Sequence, residues 1–195
     1  MSDFLRKLVV NDFTSNPSLK VVTLIMATSP EAKKKGFHLI EHSLSLDDAT
    51  RIGNMALNVA KEINAMPLSI SILDKTGTLK YAVNQDGTGL MRNAISFGKG
   101  WTCLSMGFSS RDLSHNLRDR PSFLDSLSTA SGGKMIFAPG GVLLRNGESE
   151  SVVGAIGISG DTSYRDEYVA ITAAQRCGFA TSPSEPHPKY KQSRL

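Results

Sequence analysis

The chain has 195 residues, 40% of them hydrophobic and 21% charged, and it carries a formal net charge of +4. This length suits a single globular domain, and so small and dispersed a charge argues against a nucleic-acid-binding protein. No apolar run approaches the roughly 18 residues of a transmembrane helix, so no membrane span is predicted.

The cysteine and histidine residues form no recognisable disulfide or metal pattern. Cys103 and Cys177 are far apart, so we expect two reduced, buried thiols. His38 and His42 stand four residues apart and would share a helical face, but a zinc site needs further ligands. His115 lies among polar residues and is interpreted as a surface side chain. No metal site is predicted.

Residues 1–43 differ in character from the rest and are predicted to be an N-terminal extension. Their only strongly apolar stretch is VVTLI, at residues 21–25. Asp3 and Asp12 argue against a mitochondrial transit peptide, which would contain few acidic residues. Met26 offers a plausible alternative start of translation.

The domain is predicted to open with a helix followed by a hairpin. Ser45 and Asp48 form a start that resembles a capping box, and apolar residues then recur at helical spacing as far as residue 63. The helix is expected to end before Pro67. Residues 68–72 and 79–83 alternate between apolar and polar around a DKTG turn, which is typical of two paired strands.

The second half of the chain contains further helical patterns and a second hairpin. Residues 90–106 have rough helical spacing, in which Gly98 and Gly100 indicate the close approach of another backbone or a ligand. Residues 111–128 read as helical turns broken at Pro121. A second hairpin, 135–145 with 152–159, surrounds an Asn-Gly turn, and residues 162–177 predict a last helix. Hairpins between helices indicate an antiparallel sheet with helices packed on it, an α+β fold.

Residues 180–195 are predicted to be a flexible tail. Pro183, Pro186 and Pro188 stand among polar residues without apolar periodicity. The final Ser193-Arg194-Leu195 fits the peroxisomal address whose commonest form is Ser-Lys-Leu. This predicts a peroxisomal matrix protein that is recognised by the import receptor. The alternative is a cytoplasmic protein with a basic terminus that ends in leucine by chance.

Three segments, in order, carry a family resemblance. They are Asp74-x-x-Gly77-x-Leu79 with Asp86-Gly87, then ISFGKGWT (95–102) with Arg111-Asp112-Leu113, and finally GGVLL (140–144) and VVGAIGISG (152–160) with Asp166 and Glu167. Their order and spacing resemble the GlcG/HbpS family, also called the haem-degrading domain. They are also similar to the C-terminal domain of PduO-type proteins. The resemblance covers residues 44–179.

The resemblance implies a two-layer domain of the profilin- or PAS-like kind that forms homo-oligomers. Some members of the family bind haem or a corrinoid, so haem is the cofactor that the resemblance suggests. The sequence departs from the family pattern at two places. Asn84 and Gln85 replace a common Arg-Met, which removes a cation near the expected cleft, and Leu143 replaces a common proline.

We expect one ligand-binding cleft where three parts of the chain converge. Its residues would be Lys99, Thr102, Asp86, Gly87, Ser159, Gly160 and Asp166. The ammonium of Lys99 could pair with a carboxylate or a haem propionate, or it could be a solvated helix lysine. The resemblance implies that Thr102 lies at the haem, whereas a neutral hydroxyl is a poor iron ligand and could simply support helix packing.

Two carboxylates also suggest proton transfer. Asp86 and Asp166 could act as an acid and base pair, but Asp86 also suits its turn and Asp166 suits the first turn of a helix. The sequence therefore predicts an oligomeric accessory protein that binds a small anionic ligand, haem or another tetrapyrrole included. The alternatives are a cofactor-independent enzyme acting on a small hydroxy or oxo acid, as in glycolate metabolism, and a purely structural oligomer.

Overall fold

A computed structural model describes residues 43–147 and 151–192. The predicted N-terminal extension, except for Ser43, and the predicted targeting tripeptide lie outside these residues. No helix in the described part of the chain is long and apolar enough to cross a membrane.

The described residues form one five-stranded sheet with helices packed on it. The helices are α1 (Leu46–Glu62), α2 (Arg92–Met106), α3 (Ser110–Asn116), α4 (Pro121–Ala130) and α5 (Ser163–Arg176). The strands are β1 (Ser69–Asp74), β2 (Leu79–Asn84), β3 (Gly141–Arg145), β4 (Val152–Ser159) and β5 (Ala180–Ser182), and a 3-10 helix spans Pro188–Lys191. The strand order is β2-β1-β4-β3-β5, and every neighbouring pair is antiparallel. The predicted α+β fold is confirmed.

Helices α1 and α5 cover one face of the sheet. Helix α1 starts as predicted, because the Ser45 hydroxyl accepts a hydrogen bond from the Asp48 amide. Its apolar stripe, which includes Ile52, packs with Ile70 of β1 and Ile171 of α5 in one fully buried cluster. Burying each such side chain contributes about 1.5–3 kcal/mol, so this cluster is the main source of stability in the domain.

Helix α2 lies on the opposite face at unusually close range. A Cβ atom at Gly157 of β4 would overlap the carbonyl oxygen of Ser96 in α2, and one at Gly100 would lie 2.8 Å from the side chain of Leu73. Ser96 also hydrogen-bonds the hydroxyl of Ser71 in β1, at 2.8 Å. The prediction that glycines in this helix mark a close approach is confirmed, and the neighbour is the sheet.

The prediction of a flexible tail is wrong for residues 180–192. Strand β5 pairs with β3 through Leu143 and Ser182, and Thr181 is buried. Farther along, the ring of Tyr190 stacks on Tyr168 of α5, with the ring centroids 4.1 Å apart. A three-residue strand is too short to show alternation, and single aromatic anchors leave no periodic pattern, so the sequence did not reveal this packing.

Candidate functional site

The N-terminal part of α5 places two consecutive carboxylates inside the protein. Helix α5 begins after its N-cap residue Thr162, and the helix dipole favours acidic residues in the turn that follows. Asp166 lies in that turn and Glu167 follows it, and both are buried, with 1% and 0% of their surfaces exposed. Each carboxylate needs a cation, and each has one from a different helix.

Asp166 is paired with Lys99 of α2 in a sealed contact. The Lys99 Nζ lies 2.9 Å from Asp166 Oδ2 and also donates to the carbonyl oxygen of Ile158 at 2.8 Å. The backbone N–H of Asp161 donates to Asp166 Oδ1 at 3.0 Å. Burial raises the pKa of the Asp166 carboxyl, while the Lys99 ammonium opposes that shift. Lys99 is only 2% exposed, so it is neither a solvated helix lysine nor a cation at the opening of a cleft.

Glu167 is paired with Arg111 of α3 in a more open contact. Arg111 Nη1 lies 2.9 Å from Glu167 Oε2, and the backbone N–H of His187 donates to the same oxygen at 3.3 Å. Among the described residues, Glu167 Oε1 has no hydrogen-bond partner. Burial raises the pKa of the Glu167 carboxyl, and the Arg111 guanidinium offsets only part of that shift. The Arg111 side chain is 21% exposed, so the cation of this pair reaches solvent.

The exposed side of Arg111 lies in a surface pocket of about 660 Å³, here called the α3 pocket. Helix α3 and its C-terminal end supply one wall, and the start of α5 and the chain after β5 supply the other. The lining residues are Arg111, Asp112, Ser114, His115, Arg118, Pro139, Ser163, Tyr164 and His187. The lining contains two guanidinium groups and two imidazoles but only one carboxylate, that of Asp112, so the pocket is suited to an anion.

The two imidazoles of the α3 pocket differ in their hydrogen bonding. His187 Nδ1 accepts a hydrogen bond from the backbone N–H of Lys189 at 3.2 Å. Its proton is therefore on Nε2, and the ring presents a donor to the pocket. Desolvation, with Arg111 and Lys189 nearby, lowers the pKa of His187, which favours the neutral ring. His115 contacts Asn116 Oδ1 only distantly, at 3.5 Å.

The structure does not bring all the predicted site residues together. Asp86 lies in a second groove, of about 720 Å³, beside the C-terminal part of α1. Gly87 and Gly160 both flank Pro67. The buried Ser159 accepts a hydrogen bond from Arg92 Nη1 at 3.3 Å. These residues share one end of the sheet, but Asp86 does not join the sealed Lys99–Asp166 pair, so the expected acid and base pair is not assembled.

Thr102 has a structural role in this conformation. Its hydroxyl donates to the carbonyl oxygen of Gly98 at 2.7 Å and accepts from the backbone N–H of Ile136 at 2.8 Å. The side chain is fully buried. Of the two interpretations of this residue, helix packing is the one that the contacts support.

Sequence reasoning missed most of the α3 pocket. His115 is exposed, as predicted, but it also lines the pocket, and His187 lies in the segment that was expected to be a mobile tail. One signal was available: Arg111, His115 and Arg118 are spaced four and three residues apart, which is the spacing of one side of a helix, and Arg118 follows directly after the C-cap residue of α3. No sequence pattern places His187 opposite them, because that contact depends on tertiary packing. In the described part of the chain, no group of three or more histidine, cysteine or acidic side chains could hold a metal ion.

Comparisons with known proteins agree with this fold. The model of a family described as haem degrading protein HbpS-like matches residues 44–175. A crystal structure of a PduOC:heme complex is 26% identical, with a TM-score of 0.64, and the match covers 72% of this chain and 99% of that one. The Klebsiella pneumoniae protein ORFY is 25% identical, with a TM-score of 0.62 and coverage of 69% and 89%.

A third similarity concerns the fold alone. A double mutant of Streptomyces reticuli HbpS is 22% identical, with a TM-score of 0.60, and the match covers 70% of this chain and 88% of that one. No curated protein matches the chain.

Proposed function

Because this chain belongs to the HbpS-like family of haem degrading proteins, we propose that it binds an anionic ligand of the haem class in the α3 pocket. The observation that carries the proposal is the convergence of Arg111, Arg118, His115 and His187 on one cavity. A similar chain is seen in complex with heme, and this supports a tetrapyrrole as the ligand.

The chemistry of the lining residues fits haem. Guanidinium groups bind carboxylates such as propionates with two charge-assisted hydrogen bonds, and imidazole is a common ligand of haem iron. Since His187 presents an Nε2–H donor, it suits a propionate, and His115 is the imidazole available to the metal. When bound, haem would supply an iron centre, while the residues of the chain bind and orient it.

The lining of the pocket limits how much of a bound ligand one chain can cover. Its volume lies within the range of about 300–1,000 Å³ that is typical of small-molecule sites. However, Pro139 and Tyr164 are the main apolar surfaces of its lining, whereas a macrocycle requires extensive apolar contact. We therefore propose that the protein works as a homo-oligomer in which a second copy covers the ligand. Light scattering should give at least a dimer, and a monomer at every concentration would contradict this.

Spectroscopic titration with haemin tests the ligand and the roles of the two histidines. We expect the purified chain to develop a Soret band. The band should shift in His115→Ala, and in His187→Ala it should keep its position while the affinity falls. Iron-free protoporphyrin IX should still bind wild type and His115→Ala alike, because its carboxylates remain. A chain that binds neither porphyrin does not have the proposed function.

The polar lining also favours a second candidate, a small carboxylic acid. The two guanidinium groups of the α3 pocket could hold a hydroxy or oxo acid, and an enzyme of glycolate-type metabolism would use such a ligand. In a competition assay, glycolate or oxalate should then displace bound protoporphyrin IX. Turnover of glycolate or glyoxylate that disappears in Arg118→Ala would favour the enzyme over the accessory protein.

We further propose that the final tripeptide Ser193-Arg194-Leu195 directs import into peroxisomes through the import receptor. The support is its match to the receptor-read signal. A fluorescent protein fused to the N-terminus, which leaves the native C-terminus free, should give puncta that become diffuse when Leu195 is deleted. A diffuse signal from the intact chain would exclude this localisation.

A further inference from the structure

The chain after β5 forms a strap beside the α3 pocket, defined here as residues 183–192. Its carbonyl oxygens accept hydrogen bonds from two helices: Arg111 Nη2 donates to Glu185 at 3.1 Å, and Gln175 Nε2 donates to Ser184 at 2.6 Å. These contacts hold the first part of the strap against α3 and α5. The strap is therefore part of the packed domain, and it contributes His187 to the lining of the pocket.

Two aromatic stacks hold the second part of the strap on α5. The His187 ring stacks on Tyr164 with centroids 4.2 Å apart and an interplanar angle of 20°. The Tyr190 ring stacks on Tyr168 at 4.1 Å and 18°. Tyr164 and Tyr168 are one helical turn apart, so the two stacks lie side by side. Tyr164 and His187 line the pocket, whereas Tyr168 and Tyr190 do not.

We propose that the strap is a working part of the ligand site, and that Tyr190 is a positioning residue that keeps the His187 ring directed at the ligand. This inference rests on the proposed function of the α3 pocket. It adds that ligand binding and docking of the strap stabilise each other.

Arg111 provides the physical link between ligand binding and docking of the strap. Its guanidinium donates to the buried Glu167 carboxylate and to the carbonyl oxygen of Glu185 in the strap, and its remaining face lines the pocket. An anion that binds this face fixes the guanidinium in the orientation that also holds the strap. His187 adds a second link, because its backbone bonds Glu167 and its ring lines the pocket.

Tyr190 acts from outside the pocket. It belongs to the 3-10 helix that follows His187, and that helix is capped by His187 Nδ1. Releasing Tyr190 from Tyr168 would therefore loosen the segment that fixes the tautomer and direction of the His187 ring. The effect should appear in ligand affinity, while the position of the Soret band, which we assign to His115, should not change.

Hydrogen exchange of the full chain tests the coupling between ligand and strap. If the ligand binds only the docked state, haemin at 100 times its dissociation constant should slow exchange of the non-proline amides within residues 184–192 by up to about a hundredfold. Amides of β2, at the far edge of the sheet, serve as the internal control and should not change. Oxalate provides a second ligand for the same measurement.

Haemin titrations of two variants test the positioning role. Tyr190→Ser should weaken haemin binding by about two- to tenfold, the range expected for loss of one aromatic stack, and Tyr190→Phe should bind as wild type does. If haemin or oxalate binds without protecting the strap, or if Tyr190→Ser binds normally, the inference is overturned and the proposed function stands. If neither compound binds, both the proposed function and this inference are overturned.

Discussion

Asp166 and Glu167 are neighbours in the sequence and both are buried, yet their surroundings differ in one decisive respect. Asp166 and its cation Lys99 are both sealed, with 1% and 3% of their side chains exposed, and both oxygens of Asp166 are hydrogen-bonded. Glu167 is sealed as well, but its cation Arg111 reaches the α3 pocket and its Oε1 has no partner among the described residues.

The difference shows how a buried ion pair can be assigned a role. A pair in which both partners are shielded presents no face to a ligand in this conformation, and removing one partner leaves a costly unpaired charge. A pair in which the cation is partly exposed can share that cation with a ligand. We therefore assign Lys99–Asp166 to the fold and Arg111–Glu167 to the proposed ligand site.

Replacing the cationic side chain of each ion pair should distinguish the roles of the two pairs most clearly. Lys99→Met should lower the free energy of unfolding by about 3–5 kcal/mol, because the buried Asp166 loses its partner. Arg111→Met should cost less, since Arg111 is partly solvated and less of its interaction with Glu167 is shielded from water. Urea unfolding measures both, and the double variant Lys99→Met/Asp166→Asn should recover part of the loss. Equal losses in the two single variants would contradict the distinction.

Thr102, which is buried and outside the α3 pocket, tests the same comparison with a smaller expected loss of stability. Thr102→Val keeps the shape of the side chain but leaves the Ile136 N–H without its acceptor, which should cost about 1–3 kcal/mol of stability. The affinity for haemin should stay unchanged because the hydroxyl does not line the α3 pocket. Loss of the Soret band in a folded Thr102→Val protein would instead place Thr102 at the iron.

The smallest expected effect is a change in how stability depends on pH. Burial raises the pKa of folded Glu167 above its ordinary value of 4.5, so the folded state holds this proton more tightly than the unfolded state. The contribution of Glu167 to stability must then fall as the pH rises from about 4.5 through the folded pKa. Each tenfold difference in proton affinity corresponds to about 1.4 kcal/mol.

Glu167→Gln isolates this contribution. The variant keeps the size of the side chain and cannot ionise, so the stability of wild type relative to the variant should decline with rising pH. Urea unfolding between pH 4 and 8 provides the two curves. Parallel curves would mean that Glu167 titrates alike in the folded and unfolded states.

The elements with local signals were predictable from the sequence, and the pocket was not. The Ser45 cap, the helical stripe of α1 and the alternating strands of the first hairpin each depend on neighbouring residues, so periodicity revealed them. Strand β5 and the strap depend on contacts with residues far away in the chain, such as that of Tyr190 with Tyr168. The strap contributes His187 to the α3 pocket, so that part of the pocket could not be foreseen once the segment was taken for a flexible tail.

The same reason explains why Lys99 was placed in the wrong surroundings. The glycines on either side of it correctly indicated a close approach, but a sequence cannot show whether the approaching group is a ligand or the sheet. Here the sheet approaches, and its end supplies the Ile158 carbonyl that holds the ammonium. Asp86, predicted to share that site, lies in the separate groove beside α1.

Haemin affinities of wild type, Arg118→Ala and Asp86→Asn test the central claim most directly. Arg118 lines the α3 pocket and is largely exposed, whereas Asp86 lies in the second groove, so neither change should disturb the fold. We predict that Arg118→Ala weakens binding at least tenfold through loss of a charge-assisted hydrogen bond, and that Asp86→Asn stays within about twofold of wild type. Unchanged binding in Arg118→Ala, or a larger loss in Asp86→Asn, would contradict the assignment of the ligand to the α3 pocket.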